Sequence, residues 1–371
     1  MSQRGVNHGG NIYEFAHAKG VHPSDVLDFS ANINPLGMSH MGYEALTRAL
    51  KECEHYPDIN NSDMLVALRD RLQLPTEYIL LGNGASELLY AAMQVVPVTK
   101  VCVPAPGFSE YTKAAKAYNK VVYTYPLDGL GGLQVHWPLG KGAKENPCLY
   151  IVGNPNNPDG SLIDREAFEA YLDAVKSEGS YVLVDESFIE FTDEQQSVRQ
   201  LCKMHSNLLV LHSLTKFYAV PGLRLGAILG VPELLTRLRH VLPAWSVNRL
   251  AQVYGVKALC DFEYIEASKA YIKEEKQRIY KALQKFPFLE VVEPSVNFIL
   301  LKWLPKSPNL EDFTAYVNRH HIMIRDCQNY EGLGSGWFRI AIKKKEENNV
   351  LLSHVKEYGN EHNLFSSTWT D

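Results

Sequence analysis

The chain has 371 residues, of which 46% are hydrophobic and 21% are charged, so it can bury a large core and we expect two lobes. Its formal net charge of −5 argues against nucleic-acid binding, and no apolar stretch reaches the ~18 residues that a membrane-spanning helix needs. The six cysteines show no C-x-x-C spacing, and no hydrophobic leader follows Met1. We therefore expect a cytoplasmic protein with no metal site, no disulfide framework and no membrane or nucleic-acid partner.

Short apolar runs alternate with helical stretches between about residues 80 and 230. This alternation is typical of the α/β class, with a mostly parallel sheet covered by helices. The expected strands are 78–81, 100–103, 121–125, 149–152, 181–184, 208–211 and 225–229. They predict a seven-stranded sheet.

The remainder of the chain predicts a smaller α+β unit. A helix is expected over 264–286, because this stretch is dense in Lys, Glu and Ala and contains neither Gly nor Pro. Strands are expected at 289–292, 298–303 and 337–342, and a second helix at 310–320. Residues of the N-terminal arm would pack with this unit.

A Gly-rich turn follows the first expected strand of the large sheet. Gly84, Ala85 and Ser86 would open the next helix, and the free N–H groups at a helix start form a natural cradle for phosphate. Taken alone, a turn of this kind is weak support for a phosphate site.

Two polar side chains follow other expected strands. Prolines 155 and 158 fix the backbone around Asn157, so its amide can be directed at a ring oxygen with little loss of entropy. Asp185 ends an apolar run at the edge of the sheet where ligands gather, and it could pair with the protonated ring nitrogen of a cofactor. The alternative for Asp185 is a cap on the helix that follows.

Ser213, Thr215 and Lys216 form the most informative group, with Arg224 eight residues after the lysine. Two hydroxyls and a guanidinium suit a phosphate held beside an amine that forms a Schiff base. The combination indicates pyridoxal 5′-phosphate (PLP), which carries one aldehyde and one phosphate. Alone, the pattern also occurs on solvated loops.

Taken in chain order, these segments resemble the fold-type I PLP enzymes of the aspartate aminotransferase superfamily. The resemblance runs from His8 to the segment around Arg339. It implies an N-terminal arm with part of the small domain over 1–48, a large PLP-binding domain over 49–255, and a small C-terminal domain over 256–371. It also implies a homodimer.

The resemblance assigns roles in binding the cofactor. Lys216 would bind the PLP aldehyde and act in catalysis, Asp185 would stabilise the ring nitrogen, and Asn157 would bond the ring oxygen. Phe108 would stack on the ring, and Tyr56 would reach the cofactor phosphate of the neighbouring subunit. The remaining phosphate contacts would be Gly84, Ala85, Ser86, Ser213, Thr215 and Arg224.

Within the superfamily, the chain is most similar to the branch of the histidinol-phosphate aminotransferases and the L-threonine-O-3-phosphate decarboxylases of cobalamin biosynthesis. The segments 8–11, 27–37 and 56–58 follow the decarboxylase pattern. Phe188 stands where aminotransferases of this branch usually carry a tyrosine that donates to the phenolic oxygen of PLP, although Phe188 could also be core packing. The expected reaction converts L-threonine O-3-phosphate into (R)-1-amino-2-propanol O-2-phosphate and CO2, with phosphoserine as a further or alternative substrate.

Such a small phosphorylated amino acid has two anionic ends. Arg325 and Arg339 are the residues expected to hold them, with further contacts from His8, Asn32 and Asn157. Arg339 lies on an alternating strand that buries every second residue, so an internal salt bridge is the other interpretation.

Two alternatives remain open at this stage. A histidinol-phosphate aminotransferase or related transaminase would use the same site, because the choice between the reactions depends on which Cα bond stands perpendicular to the ring. A non-catalytic PLP-binding regulator or dimeric scaffold is the alternative of another class.

Overall fold

The computed structural model describes residues 9–138 and 147–366. Four elements precede the large sheet, and each is short. In chain order they are α1 (Ile12–Lys19), β1 (Leu27–Asp28), α2 (His40–Ala49) and α3 (Ser62–Leu72).

The middle of the chain alternates strands and helices. These elements are β2 (Ile79–Gly82), α4 (Gly84–Val95), β3 (Lys100–Ala105), α5 (Glu110–Ala117), β4 (Val121–Pro126), β5 (Leu133–Gln134), β6 (Cys148–Gly153), β7 (Leu162–Ile163), α6 (Arg165–Ser177), β8 (Tyr181–Asp185), β9 (Leu208–Ser213) and β10 (Gly226–Leu229).

Seven of these strands form the central sheet, in the order β2-β10-β9-β8-β6-β3-β4. Strand β10 is antiparallel to both of its neighbours, and the other pairs are parallel. All seven expected strands are confirmed, with ends shifted by one or two residues. The expected α/β class with a mostly parallel seven-stranded sheet is therefore correct.

Both faces of the sheet are covered, which explains why its strands are continuous apolar runs. Val182 and Val184 of β8 point into one hydrophobic layer, and Leu183 points into the layer on the opposite face. All three side chains are fully buried. Alternation along the strand therefore fills two cores at once.

The C-terminal part contains a second sheet. Its elements are α7 (Pro232–Arg239), α8 (Arg249–Leu259), α9 (Phe262–Leu283), β11 (Leu289–Val291), β12 (Phe298–Trp303), α10 (Leu310–Arg319), β13 (Ile322–Met323), β14 (Arg325–Asp326), β15 (Trp337–Ala341) and α11 (Lys345–Glu361). The four strands in the order β11-β12-β15-β14 form an antiparallel sheet. The expected long helix starts two residues earlier than predicted, with Asp261 as its N-cap. The domain limits at residues 49 and 256 remain a prediction.

The N-terminal segment connects the two sheets. Strand β1 pairs in parallel with β13, and the Ala341 N–H donates to the Phe29 carbonyl at 2.8 Å. Further along, the Asn34 side chain donates to the Phe217 carbonyl and to the Ser268 hydroxyl, both at 2.8 Å. These bonds fix the stretch that carries Asn32 between the two sheets.

Across residues 9–138 and 147–366, none of the helices combines the length and hydrophobicity that crossing a bilayer requires.

Candidate active site

The carboxyl ends of the parallel strands face a cavity of about 180 Å³ and a smaller one of about 90 Å³ beside it. Phe108, Asp185, Ser187 and Lys216 line both cavities, so the two form one continuous site. This edge of an open α/β sheet is the usual place for a ligand. The large cavity also contacts residues from the second sheet, which close it from the other side.

Lys216 follows β9 and lies between the two cavities. Its backbone carbonyl accepts a hydrogen bond from the Asn34 N–H at 3.0 Å. Burial lowers the pKa of its amine to about 8, helped by the positive charges of Arg339 and Arg224 and opposed by Asp185. A substantial fraction of the amine is therefore neutral near pH 7 to 8, as a nucleophile requires.

Asp185 ends β8, and three hydrogen bonds hold its carboxylate. Oδ1 accepts from the Ser187 N–H at 2.9 Å and from the Ser187 hydroxyl at 2.5 Å. Oδ2 accepts from the Tyr111 hydroxyl at 2.7 Å. The bond to the Ser187 N–H is a local turn contact and not a helix cap, since the short helix that follows has Phe188 at its N-cap. Asp185 nevertheless lines both cavities, so this contact does not remove it from the site.

The smaller cavity lies at the start of α4. A Cβ on Gly84 would lie 2.5 Å from Nη2 of Arg224, and one on Gly226 would lie 2.6 Å from the backbone N of Ala85. Gly84 also has φ +80°, which strongly favours glycine. The lining includes five residues expected to bind phosphate, namely Ala85, Ser86, Ser213, Thr215 and Arg224.

This arrangement fits a phosphate group. The first N–H groups of a helix are without intrahelical acceptors and carry partial positive charge. Arg224 adds a full charge, and its own backbone lies in the left-handed region with φ 56°. The guanidinium occupies the space over Gly84 that any side chain there would fill. The packing therefore leaves room for the anion and not for a side chain.

Arg325 and Arg339 lie on the paired strands β14 and β15, directly opposite each other in the register. Both are largely buried and line the large cavity. Nη2 of Arg339 donates to the Ser30 carbonyl at 3.0 Å, and Nη1 donates to Oδ1 of Asn157. Within the described ranges, no carboxylate pairs with Arg339 and its Nε has no hydrogen-bond acceptor. The salt-bridge alternative for Arg339 thus finds no support in that part of the chain.

Arg325 is held by neutral acceptors that the structure places beside it. Its Nη1 donates to the Asp326 carbonyl, and Nη2 donates to Oδ1 of Asn329 at 3.2 Å. The guanidinium also lies 5.4 Å from the ring centroid of Tyr330. These contacts orient the guanidinium at the wall of the large cavity, where an arginine can bind an anion.

Asn32 and Asn157 both line the large cavity. Asn32 is only 3% exposed, and no residue in the described part of the chain donates to its Oδ1. Because buried polar atoms are normally hydrogen-bonded and Asn32 lines the large cavity, this oxygen is a candidate acceptor for a bound ligand. His8, the other expected contact of this segment, lies outside the described residues.

Two aromatic residues of the expected site also lie in the cavity wall. Phe108 lines both cavities and contacts Tyr111 edge to face, with ring centroids 5.7 Å apart. Phe188 lines the large cavity and packs against Phe298 at 5.1 Å, so it combines a site position with core packing.

Tyr56 lies away from both cavities of its own chain. It is 80% exposed and stacks on Trp245, with ring centroids 4.6 Å apart. Its expected contact with the cofactor phosphate of a neighbouring subunit stays a prediction.

The sequence alone did not point to Ser187, Tyr111 or Tyr330. Ser187 and Tyr111 hold Asp185, and the Tyr330 hydroxyl donates to Oδ1 of Asn157 at 3.4 Å. Tyr111 is 74 residues from Asp185 in the chain, so no local motif connects them. The one sequence signal for Tyr111 was its position at a helix start, three residues after Phe108.

Comparison with known proteins agrees with this geometry. The chain is 35% identical to a threonine-phosphate decarboxylase from Salmonella typhimurium over 351 residues. The aligned region covers 94% of this chain and 95% of that protein. It is 30% identical to the histidinol-phosphate aminotransferase from Clostridium acetobutylicum, whose crystal structure superposes with a TM-score of 0.82 over 91% of this chain and 100% of the other. The L-threonine-O-3-phosphate decarboxylase from Porphyromonas gingivalis shares the fold, with a TM-score of 0.79 at 23% identity over 90% of this chain and 100% of that chain.

Residues 24–355 match the model of a family described as aminotransferase class I and II. This range includes every described residue expected to bind cofactor or substrate. The chain therefore belongs to the aminotransferase class I and II family.

Proposed function

We propose that this chain is a PLP-dependent decarboxylase of L-threonine O-3-phosphate. The observation that carries the proposal is the pair of buried arginines, Arg325 and Arg339, which face Lys216 and Asp185 across one cavity. Two fixed positive groups suit a substrate with a carboxylate and a phosphate. The 35% identity to the Salmonella typhimurium threonine-phosphate decarboxylase over 94% of the chain supports this substrate.

The residues of the site fit PLP as the cofactor. The cradle of α4, with Ser213, Thr215 and Arg224, would hold its phosphate, and Asp185 would face its ring nitrogen. Phe108 would cover one ring face, and Asn157 would donate to the ring oxygen. When bound, PLP supplies an electron sink for the Cα bond that stands perpendicular to its ring.

The reaction breaks the bond between Cα and the carboxylate carbon. CO2 leaves, and Cα takes up one proton to give (R)-1-amino-2-propanol O-2-phosphate. Lys216 lines both cavities and would deliver that proton, and its lowered pKa of about 8 would let the amine exchange protons near neutral pH. Arg325 and Arg339 would fix the two anionic ends and so set which Cα bond is perpendicular.

A histidinol-phosphate aminotransferase is the second candidate function, and the 30% identity to the Clostridium acetobutylicum structure favours it. Phe188 argues against the aminotransferase function. Its ring has no hydroxyl to donate to the phenolic oxygen of the cofactor, and it packs tightly on Phe298. The shared fold is common to both enzymes, so the difference at Phe188 favours the decarboxylase.

The deciding assay mixes the PLP-loaded protein with L-threonine O-phosphate and no oxo acid. Release of CO2 and aminopropanol phosphate in equal amounts, absent in Lys216→Ala, is the expected result. Repeating the assay with L-serine O-phosphate tests whether the substrate methyl group matters. If nothing is released, and 2-oxoglutarate with histidinol phosphate yields glutamate instead, the protein is an aminotransferase.

We further propose that the enzyme is a homodimer in the cytoplasm, and that its product serves the nucleotide loop of cobalamin. Exposed Tyr56, stacked on Trp245, would contribute to the neighbouring site. All six cysteines are free thiols, as a reducing compartment requires.

A further inference from the structure

The carboxylate of Asp185 is held from two different elements. Its Oδ1 is bound by Ser187, two residues further along the same loop. Its Oδ2 is bound by the hydroxyl of Tyr111, which lies in the first turn of α5. Contacts to one oxygen alone would let the group turn about its Cβ–Cγ bond. The second contact fixes the plane of the carboxylate.

Tyr111 is itself rigidly placed. It is 2% exposed, its N–H donates to the Phe108 carbonyl at 3.1 Å, and its ring meets the Phe108 ring at 88°. Burial, followed by the charge of Asp185, raises the pKa of the Tyr111 hydroxyl well above its ordinary value. The hydroxyl therefore keeps its proton at physiological pH, and its O–H donates to the carboxylate oxygen.

We propose that Tyr111 is a positioning residue that acts on the cofactor ring nitrogen through Asp185. This inference rests on the proposed function, because it requires PLP in the site. Tyr111 sets the orientation in which Asp185 meets the ring N–H, and its contact with Phe108 ties that orientation to the residue that covers the ring. Tyr111 thus contacts both Asp185, which would bind the ring nitrogen, and Phe108, which would cover the ring face.

The test compares the binding of two cofactors to the apoprotein. One is PLP, and the other is the 1-deaza analogue, in which a C–H replaces the ring nitrogen and cannot donate to Asp185. Dissociation constants are measured by equilibrium dialysis, so no turnover is needed. The ratio of the two constants isolates the contribution of the ring nitrogen.

Tyr111→Phe is the test variant, and Tyr125→Phe is its matched control. Tyr125, on β4, is also buried, but its hydroxyl donates to the Ile151 carbonyl at 2.7 Å and not to Asp185. We expect Tyr111→Phe to reduce the preference for PLP over the analogue by about tenfold, the size of one hydrogen bond to a charged group. Tyr125→Phe leaves the preference unchanged.

Asp185→Asn provides the second measurement. In that background, Tyr111→Phe should have no further effect on the ratio, because the proposed route passes through the carboxylate. Equal weakening of both cofactors by Tyr111→Phe, or an unchanged ratio, would overturn the inference and leave the proposed function standing. If the wild-type protein does not bind PLP at all, the proposed function fails and the inference fails with it.

Discussion

Lys216 is flanked by Arg339 and Arg224, and its pKa is lowered to about 8 mainly by burial. Only the neutral amine attacks an aldehyde, so its reactive fraction rises as the pH rises through this value. We predict that the rate of PLP capture by the apoprotein climbs between about pH 6.5 and pH 9 with a midpoint near 8. Stopped-flow absorbance against pH measures it.

N-acetyl-lysine amide serves as the reference for this titration, because it reports the ionisation of PLP itself with an ordinary amine. The ratio of the two rates should be constant below about pH 7 and fall above about pH 8, because Lys216 is then fully neutral while the reference amine is still losing its proton. A ratio that stays constant to about pH 10 would mean that burial does not perturb the lysine.

Arg339 has a buried guanidinium with neutral oxygen acceptors from Asn157 and Ser30. Removing a buried charge that binds a substrate anion costs roughly 2–5 kcal/mol. We predict that Arg339→Gln lowers kcat/KM for threonine phosphate at least about thirtyfold. Arg319→Gln, at an exposed position at the end of α10, is the control and should keep wild-type kinetics. A small effect of both variants would show that Arg339 does not meet the substrate.

At the scale of elements, the junction of β2 and α4 depends on one residue without a side chain. Alanine at Gly84 would have φ +80° and a Cβ 2.5 Å from the Arg224 guanidinium. The backbone conformation alone costs about 1–2 kcal/mol, and the guanidinium must also move. We predict that Gly84→Ala lowers the melting temperature of the apoprotein and weakens PLP binding at least about tenfold.

Gly222→Ala is the matched control for this change. It lies two residues from Arg224, and its added Cβ would meet no atom within 4 Å. Calorimetry and cofactor titration should therefore show little change. Equal losses in the two variants would argue against a specific clash at Gly84.

The central strands were predictable from the sequence because both of their faces are buried, so apolar runs such as that of β8 stand out. The direction of β10 was not predictable. Its four residues are apolar in either orientation, and the loop through Arg224 that reverses the chain contains an unusual left-handed non-glycine residue. The site residues at the ends of these strands were predictable from the motifs around Lys216 and Asp185. Ser187 supports Asp185 through a local contact two residues away, whereas the support from Tyr111 is a tertiary contact that no local pattern encodes.

At the scale of the whole molecule, the proposed homodimer would let the exposed Tyr56 serve the site of the neighbouring subunit. If sites are shared between subunits, a chain with Lys216→Ala and a chain with Tyr56→Ala can complement each other in a hybrid dimer. Random mixing makes half of the dimers hybrids with one intact site each, so we predict recovery of about a quarter of wild-type activity.

Activity after co-refolding of the two variants measures this recovery. Mixing Lys216→Ala with the double variant Lys216→Ala, Tyr56→Ala should restore nothing. Full activity of Tyr56→Ala by itself would refute a shared site.

The hydrogen bond from Arg339 to the Ser30 carbonyl joins residues 309 positions apart. During synthesis, the ribosome therefore releases the cradle of α4, Asp185 and Lys216 long before the wall that carries Arg339 exists. Until that wall forms, Lys216 lacks the charge of Arg339, which is one of the causes that lower the pKa of its amine. The lysine environment and the arginine wall are therefore completed in the same step, when β15 joins the N-terminal segment.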